Sequence, residues 1–145
     1  MYKTLYEELS IISELKTVKE KIEALLQHKR SDAFKILFAY AYSEEIKWLL
    51  PSGNPPYKAM QPINMESRLL NELRRLYLFV EGGNTNLTNN KREHLFIQLL
   101  ESVDPMDAIL LLAVKDKKMP FKGLTKKIAH QTFPELNLEA VKEVV

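Results

Sequence analysis

The chain has no cysteine, only four glycines, a single tryptophan and no long hydrophobic run. Without cysteine there is no disulfide framework, no thiolate zinc site and no thiol nucleophile, so cohesion has to come from packing, and the composition fits a reducing cytoplasm. The longest apolar stretch, around Ile109 to Val114, falls far short of the roughly 20 residues of a membrane span. The N-terminal MYKTLYEELS lacks the apolar region of a signal peptide. The expectation is a soluble cytoplasmic protein with no membrane partner. Net charge is nearly absent as well: +2 over 145 residues, which by itself argues for no particular partner.

Catalytic patterns are missing too. No glycine-rich phosphate loop, no His-Glu-x-x-His pair and no serine elbow between glycines occurs. His28, His94 and His130 stand singly, as surface or packing residues do, and no Asp and His set is clustered for a metal. Glu44 and Glu45 are neighbours, which on a helix point about 100° apart, so they read as a solvated face and not as an acid-base pair. The sequence predicts a non-enzyme that needs no cofactor and no metal.

What the chain does have is helical periodicity. At 46% hydrophobic residues it is long enough for one sizeable core, and apolar residues recur at three and four positions almost throughout. The prediction is an all-α fold: a single compact multi-helix domain over residues 1–145, with about seven or eight helices and one proline-rich loop at 51–64. Leu5, Leu9, Ile12 and Leu15 form a first face. Val18, Ile22, Leu25 and Leu26 form a second, opened by the capping-box pair Thr17 and Glu20. Ser31 is placed to cap a third helix carrying Phe34, Leu37, Phe38 and Ala41. Four prolines and a glycine exclude a regular element from Pro51 to Asn64. A helix from about Glu66 to Val80 stops at Gly82 and Gly83, which can turn left-handed. Thr88 or Asn89 caps the next, with Leu95, Phe96, Leu99, Leu100 and Val103 on its face. Asp104-Pro105 starts a helix over Met106 to Val114, apolar on nearly every side and so central to the core. Leu124 or Thr125 starts a short helix that Pro134 ends, and Asn137 can cap a last turn.

Charge is distributed unevenly. Lys115 to Lys127 holds six lysines and one aspartate, a local +5 that leaves the remaining chain at −3. In this segment Gly123 permits close backbone approach, Thr125 offers a hydroxyl, and the amides of the helix beginning there can hold a phosphate oxygen. Lys122, Lys126 and Lys127 surround that point, with Lys117 and Lys118 just before it, which makes either a phosphate clamp or a solvated basic turn. In Asn84 to Arg92, Lys91 and Arg92 fall in a first helical turn. There they oppose the helix dipole by a few tenths of a kcal/mol, a conflict that a phosphate would relieve; otherwise the stretch is an ordinary polar loop with caps. Lys29-Arg30 and Arg74-Arg75 read as solvated surface.

From about Ile11 to Leu138 the chain resembles the all-helical N-terminal DNA-binding domain of ATP-dependent DNA ligases, the short phage type above all. The segment DPMDAILLLAVKDKKMPFKGLTKKIAHQTFPEL carries the resemblance through Gly123, Thr125, Lys126, Phe133, Pro134 and Leu136. LTNNKREHLF carries it more weakly. The resemblance implies a domain that grips the minor-groove face of duplex DNA through its backbone, with little sequence preference, using Asn89, Lys91, Gly123, Thr125, Lys126 and Lys127. Ligases also need a Lys-x-Asp-Gly motif in a following catalytic domain. None of the sixteen lysines stands in one, and the chain ends where that domain would begin. The expected role is a duplex-DNA-binding accessory of a phage-like replication, repair or transcription system, with a protein of that machinery as a further partner.

The alternative is a protein-interaction adaptor on the same scaffold, with Trp48, Tyr57 and Met60 as exposed anchors beside the proline-rich loop. DNA binding predicts a positive face joining Lys91, Lys118, Lys122 and Lys126. An adaptor predicts an uncharged apolar patch from Trp48 to Met60.

Overall fold

Five of the described helices begin where a side chain satisfies one of the first amides. The structure is a computed structural model and describes residues 4–59, 69–83 and 86–136. The Thr4 hydroxyl accepts from the amide of Glu7 at 3.0 Å and opens α1, Leu5–Ser13. Leu5, Leu9 and Ile12 then fall on one face and are buried. Thr17 caps α2, Val18–Gln27, accepting from Glu20 as the sequence predicts. The face of α2 is narrower than expected, because Leu25 and Leu26 lie about 100° apart and cannot both point inward. Leu25 is buried and Ile22 partly so, whereas Val18 and Leu26 are exposed.

The third helix, α3 (Ser31–Tyr42), corrects two expectations. Ser31 lies in its first turn, and the cap position is Arg30, which makes no side-chain cap bond. Arg30 is not solvated surface. It is buried, and its guanidinium pairs with Glu8, whose other oxygen meets His28 Nε2 at 2.7 Å. That pairing fixes Arg30 against α1 and sets where α3 starts.

Within the described residues, the expected long helix ending at Val80 is α-helical over α4 (Leu69–Glu72) and then becomes a 3₁₀ helix, Leu73–Phe79. Its start at Glu66 lies outside the described residues. Leu73, Leu76 and Phe79 repeat every three residues and are all buried, and a helix of three residues per turn is what stacks such a repeat on one side. Val80 is extended and forms an isolated antiparallel bridge with Trp48, with bonds from the Leu49 amide to Phe79 and from the Glu81 amide to Lys47, both 2.8 Å. Gly82 is left-handed at φ 84°, as expected, but Gly83 serves another purpose. A Cβ there would lie 1.8 Å from the carbonyl oxygen of Tyr77.

Thr88 caps α5, Asn89–Ser102, and Asp104 with Pro105 starts α6, Pro105–Lys115. α6 is the central element and packs against α1, α3 and α5. Ala108, Leu110, Leu111, Leu112 and Val114 are buried, and Ile109 alone of its apolar run is largely exposed, at 45%. Asp107, fully buried, accepts the amide of Tyr6 at 3.0 Å and ties α6 to α1. α7, Lys126–Thr132, packs on α2 and α3, and a 3₁₀ turn at Pro134–Leu136 follows it. The architecture is all-α, with seven α-helices and two short 3₁₀ helices among the described residues. No helix among them is long and apolar enough to cross a membrane. The rest of the proline-rich loop beyond Ala59, and the turn expected after Asn137, lie outside the described residues.

Candidate nucleic-acid interface

The lysine-rich link begins at the end of α6. Asp116 is the cap residue, and the amides of Lys117 and Lys118 return to the carbonyls of Val114 and Ala113 at 3.0 and 2.9 Å. This pair of bonds needs a left-handed residue, usually glycine. Lys117 takes it at φ 60°, the one described non-glycine residue with a positive φ. The β-carbon makes that conformation cost about 1–2 kcal/mol. The side chain's role compensates: Nζ donates to the Ser43 carbonyl at 2.6 Å and so covers the C-terminal end of α3.

Lys117 thereby enters a groove of about 460 Å³ at the end of α3, lined by Tyr42, Ser43, Glu44, Lys47, Lys117 and Lys126. Lys126 Nζ is 3.3 Å from Glu44 Oε1. Burial pulls the Lys117 ammonium below the usual lysine range, the charge of Lys126 pulls it further, and Glu44 acts the other way. Tyr42 donates its hydroxyl to the Leu124 carbonyl at 2.7 Å, and burial pushes its phenol up to about 12. Lys118, Lys122 and Lys127 are exposed and form no ion pair among the described residues. Lys91 is exposed at the start of α5. Glu93, Ile97 and Lys115 line one cavity, so the start of α5 lies beside the end of α6.

Four of the residues predicted from sequence have other work. Gly123 is close to protein, not to an open surface: a Cβ there would lie 2.1 Å from the Ser13 carbonyl oxygen, and its own carbonyl accepts from Lys21 Nζ at 2.9 Å. The Thr125 hydroxyl accepts from the amide of Ile128 at 3.3 Å and caps α7. Arg92 is buried, and its guanidinium donates to the carbonyls of Leu78 and Leu87 and to Asn89 Oδ1. Asn89, although exposed, spends its side-chain oxygen on that guanidinium. Lys117 and Lys126 are held by Ser43 and Glu44, so the predicted residues whose side chains make no bond among the described residues are Lys91, Lys118, Lys122 and Lys127. Lys115 is not one of them. Its ammonium is buried between the Pro51 carbonyl and Asp116, at 2.8 and 2.6 Å.

Lys47 and the apposition of Glu44 to Lys126 had no sequence signal, because only the fold brings the end of α3 to the α6–α7 link. Two of the three anchors of the adaptor reading are engaged internally. The Trp48 indole donates to the Tyr40 carbonyl at 3.0 Å and its ring packs on Tyr40 at 5.6 Å. Tyr57 is partly buried against the core, and Met60 lies outside the described residues. Among the described residues no group of three or more His, Asp or Glu side chains could hold a metal ion.

Residues 9–120 match a family of unknown function, DUF6433. The chain belongs to that family. The DUF6433 match runs from α1 to Pro120, so it contains Glu44, Lys47, Lys91, Lys117 and Lys118, while Lys122, Lys126 and Lys127 lie beyond it. No curated protein matches the chain.

Proposed function

We propose that this DUF6433 chain is a non-catalytic module that binds the phosphate backbone of duplex DNA, on a scaffold like the N-terminal domain of DNA ligases, as an accessory to a phage-like replication, repair or transcription system. The observation that carries the reading is the gathering of Lys47, Lys117 and Lys126 in one groove, with the exposed Lys118 and Lys127 adjacent to them in sequence and the exposed Lys122 in the same link. Lysines so placed neutralise phosphates without reading bases, which gives sequence-tolerant and salt-sensitive affinity. With about four to six phosphates neutralised, the log–log slope of affinity against salt is about −4 to −5.

The test is a fluorescence-anisotropy titration of a labelled duplex at two salt concentrations. The wild type is compared with the triple variant Lys122→Glu, Lys126→Glu, Lys127→Glu. Salt-weakened binding that the variant loses is the expected result. Absence of binding at low salt rejects the reading and brings the adaptor forward.

A further inference from the structure

The groove at the end of α3 holds an unbalanced set of charges. Lys47, Lys117 and Lys126 line it with one carboxylate, Glu44. The pair between Lys126 and Glu44 is long, at 3.3 Å, and open to water, with 46% of the Glu44 side chain exposed. Exposed pairs of this kind contribute little. A phosphate brings a full charge and several acceptor oxygens, and it makes stronger charge-assisted bonds to the same ammonium groups.

Lys117 adds an independent observation. Its φ of 60° lies in the region that favours glycine, so a glycine would close the same helix cap with less strain. The lysine instead places an ammonium over Ser43 and beside Lys126. It also screens the negative end of the α3 dipole, which would otherwise repel an anion. The groove is thus cationic although it abuts a helix C-terminus.

We infer that this groove seats one phosphate of the bound duplex and that Glu44 is its resident counterion, displaced from Lys126 as the phosphate enters. The inference rests on the duplex-binding reading. It makes Glu44 a brake on affinity: the carboxylate competes with DNA for Lys126 and restrains binding wherever the phosphate fits poorly.

The test compares Glu44→Gln with Glu23→Gln, which removes the same charge from an exposed α2 residue that has no ion pair among the described residues. Lys117→Gly is the second variant. Duplex binding is measured by anisotropy over a salt series, and stability by thermal melting. Glu44→Gln is expected to tighten binding roughly two- to fivefold beyond Glu23→Gln, with a salt slope steeper by about 0.9. Lys117→Gly is expected to weaken binding while its melting temperature holds or rises. Equal effects of the two glutamine variants with an unchanged slope overturn the inference, as does a Lys117→Gly variant that binds like the wild type. If no chain binds duplex, the DNA reading fails and calorimetric titration with tripolyphosphate judges the groove alone. Binding that Glu44→Gln tightens and Lys117→Gly weakens upholds an anion site; no binding overturns it.

Discussion

The ammonium of Lys21 donates to the carbonyl oxygen of Gly123 at 2.9 Å, joining residues 102 positions apart in sequence. A Cβ added to Gly123 would lie 2.1 Å from the Ser13 carbonyl oxygen and 3.0 Å from Lys21 Nζ. Both neighbours belong to the first two helices, so this glycine is where the α6–α7 link docks on the N-terminal part of the fold. Because the obstacle is backbone, Gly123→Ala is expected to destabilise by roughly 2–3 kcal/mol, read as a lower melting temperature. Lys21→Met, which keeps the stem and loses the bond, is expected to cost about 1 kcal/mol.

Tyr42 sets an alkaline limit. Its phenol titrates at about 12 in the folded chain against an ordinary 10.0. The stabilisation tied to the neutral hydroxyl is complete below pH 10 and is lost as pH rises through about 12. Melting temperature measured across this window is expected to fall. Tyr42→Phe, which cannot ionise, is expected to melt lower at neutral pH, since the Leu124 carbonyl loses its donor, and to show a shallower alkaline decline.

Lys91 and Arg92 are adjacent basic residues with opposite fates. Arg92→Gln is expected to destabilise by roughly 2–3 kcal/mol, because two carbonyls lose a charged donor. Lys91→Gln is expected to leave stability within about 0.5 kcal/mol and to weaken duplex binding, with a salt slope shallower by about 0.9. Thermal melting and anisotropy on both variants separate the two roles. A Lys91→Gln chain that binds duplex with unchanged slope removes Lys91 from the interface.

Lys115 pins the proline-rich segment from below. It holds the Pro51 carbonyl, while Asp116, its ion-pair partner, accepts the Gly53 amide at 3.2 Å. Further along, the Lys58 amide donates to Glu101 at 2.8 Å. Lys115→Met is expected to cost about 1–2 kcal/mol and to speed limited proteolysis between residues 51 and 59 more than elsewhere. Uniform acceleration over the whole chain would show that the lysine supports the core and not the proline-rich segment.

Most of the helices and their caps were legible because they depend on neighbours in sequence; the cap of α3 was not, since Arg30 is placed there by Glu8 of α1. Thr17, Thr88, Asp104 and Thr125 each bond an amide two or three residues on, and the apolar stripes of α1, α5 and α6 face inward as their spacing requires. The 3₁₀ helix was misread as a longer α-helix because Leu73, Leu76 and Phe79 satisfy a period of three, whereas an α reading tolerates three and four alike. Of the candidate site, the lysines of the link were legible from charge alone. The reassignment of Gly123, Arg92 and Thr125 was not. A glycine, an arginine or a threonine looks the same in sequence whether its partner is a phosphate or a carbonyl elsewhere in the chain. Lys47 and Glu44 were hidden for the same reason, being about seventy residues or more from Lys117 and Lys126.

The chain's single tryptophan stands at a junction. Trp48 leans on Tyr40 of α3, pairs through its backbone with Val80 beyond the 3₁₀ helix, and follows Lys47, a wall of the lysine groove. Its indole thus packs on α3 while its backbone joins the segment after the 3₁₀ helix, one residue along the chain from a wall of the groove. The protein carries its own optical reporter: a red-shifted emission marks the indole parting from Tyr40, so the loosening of this junction can be followed in an unlabelled sample.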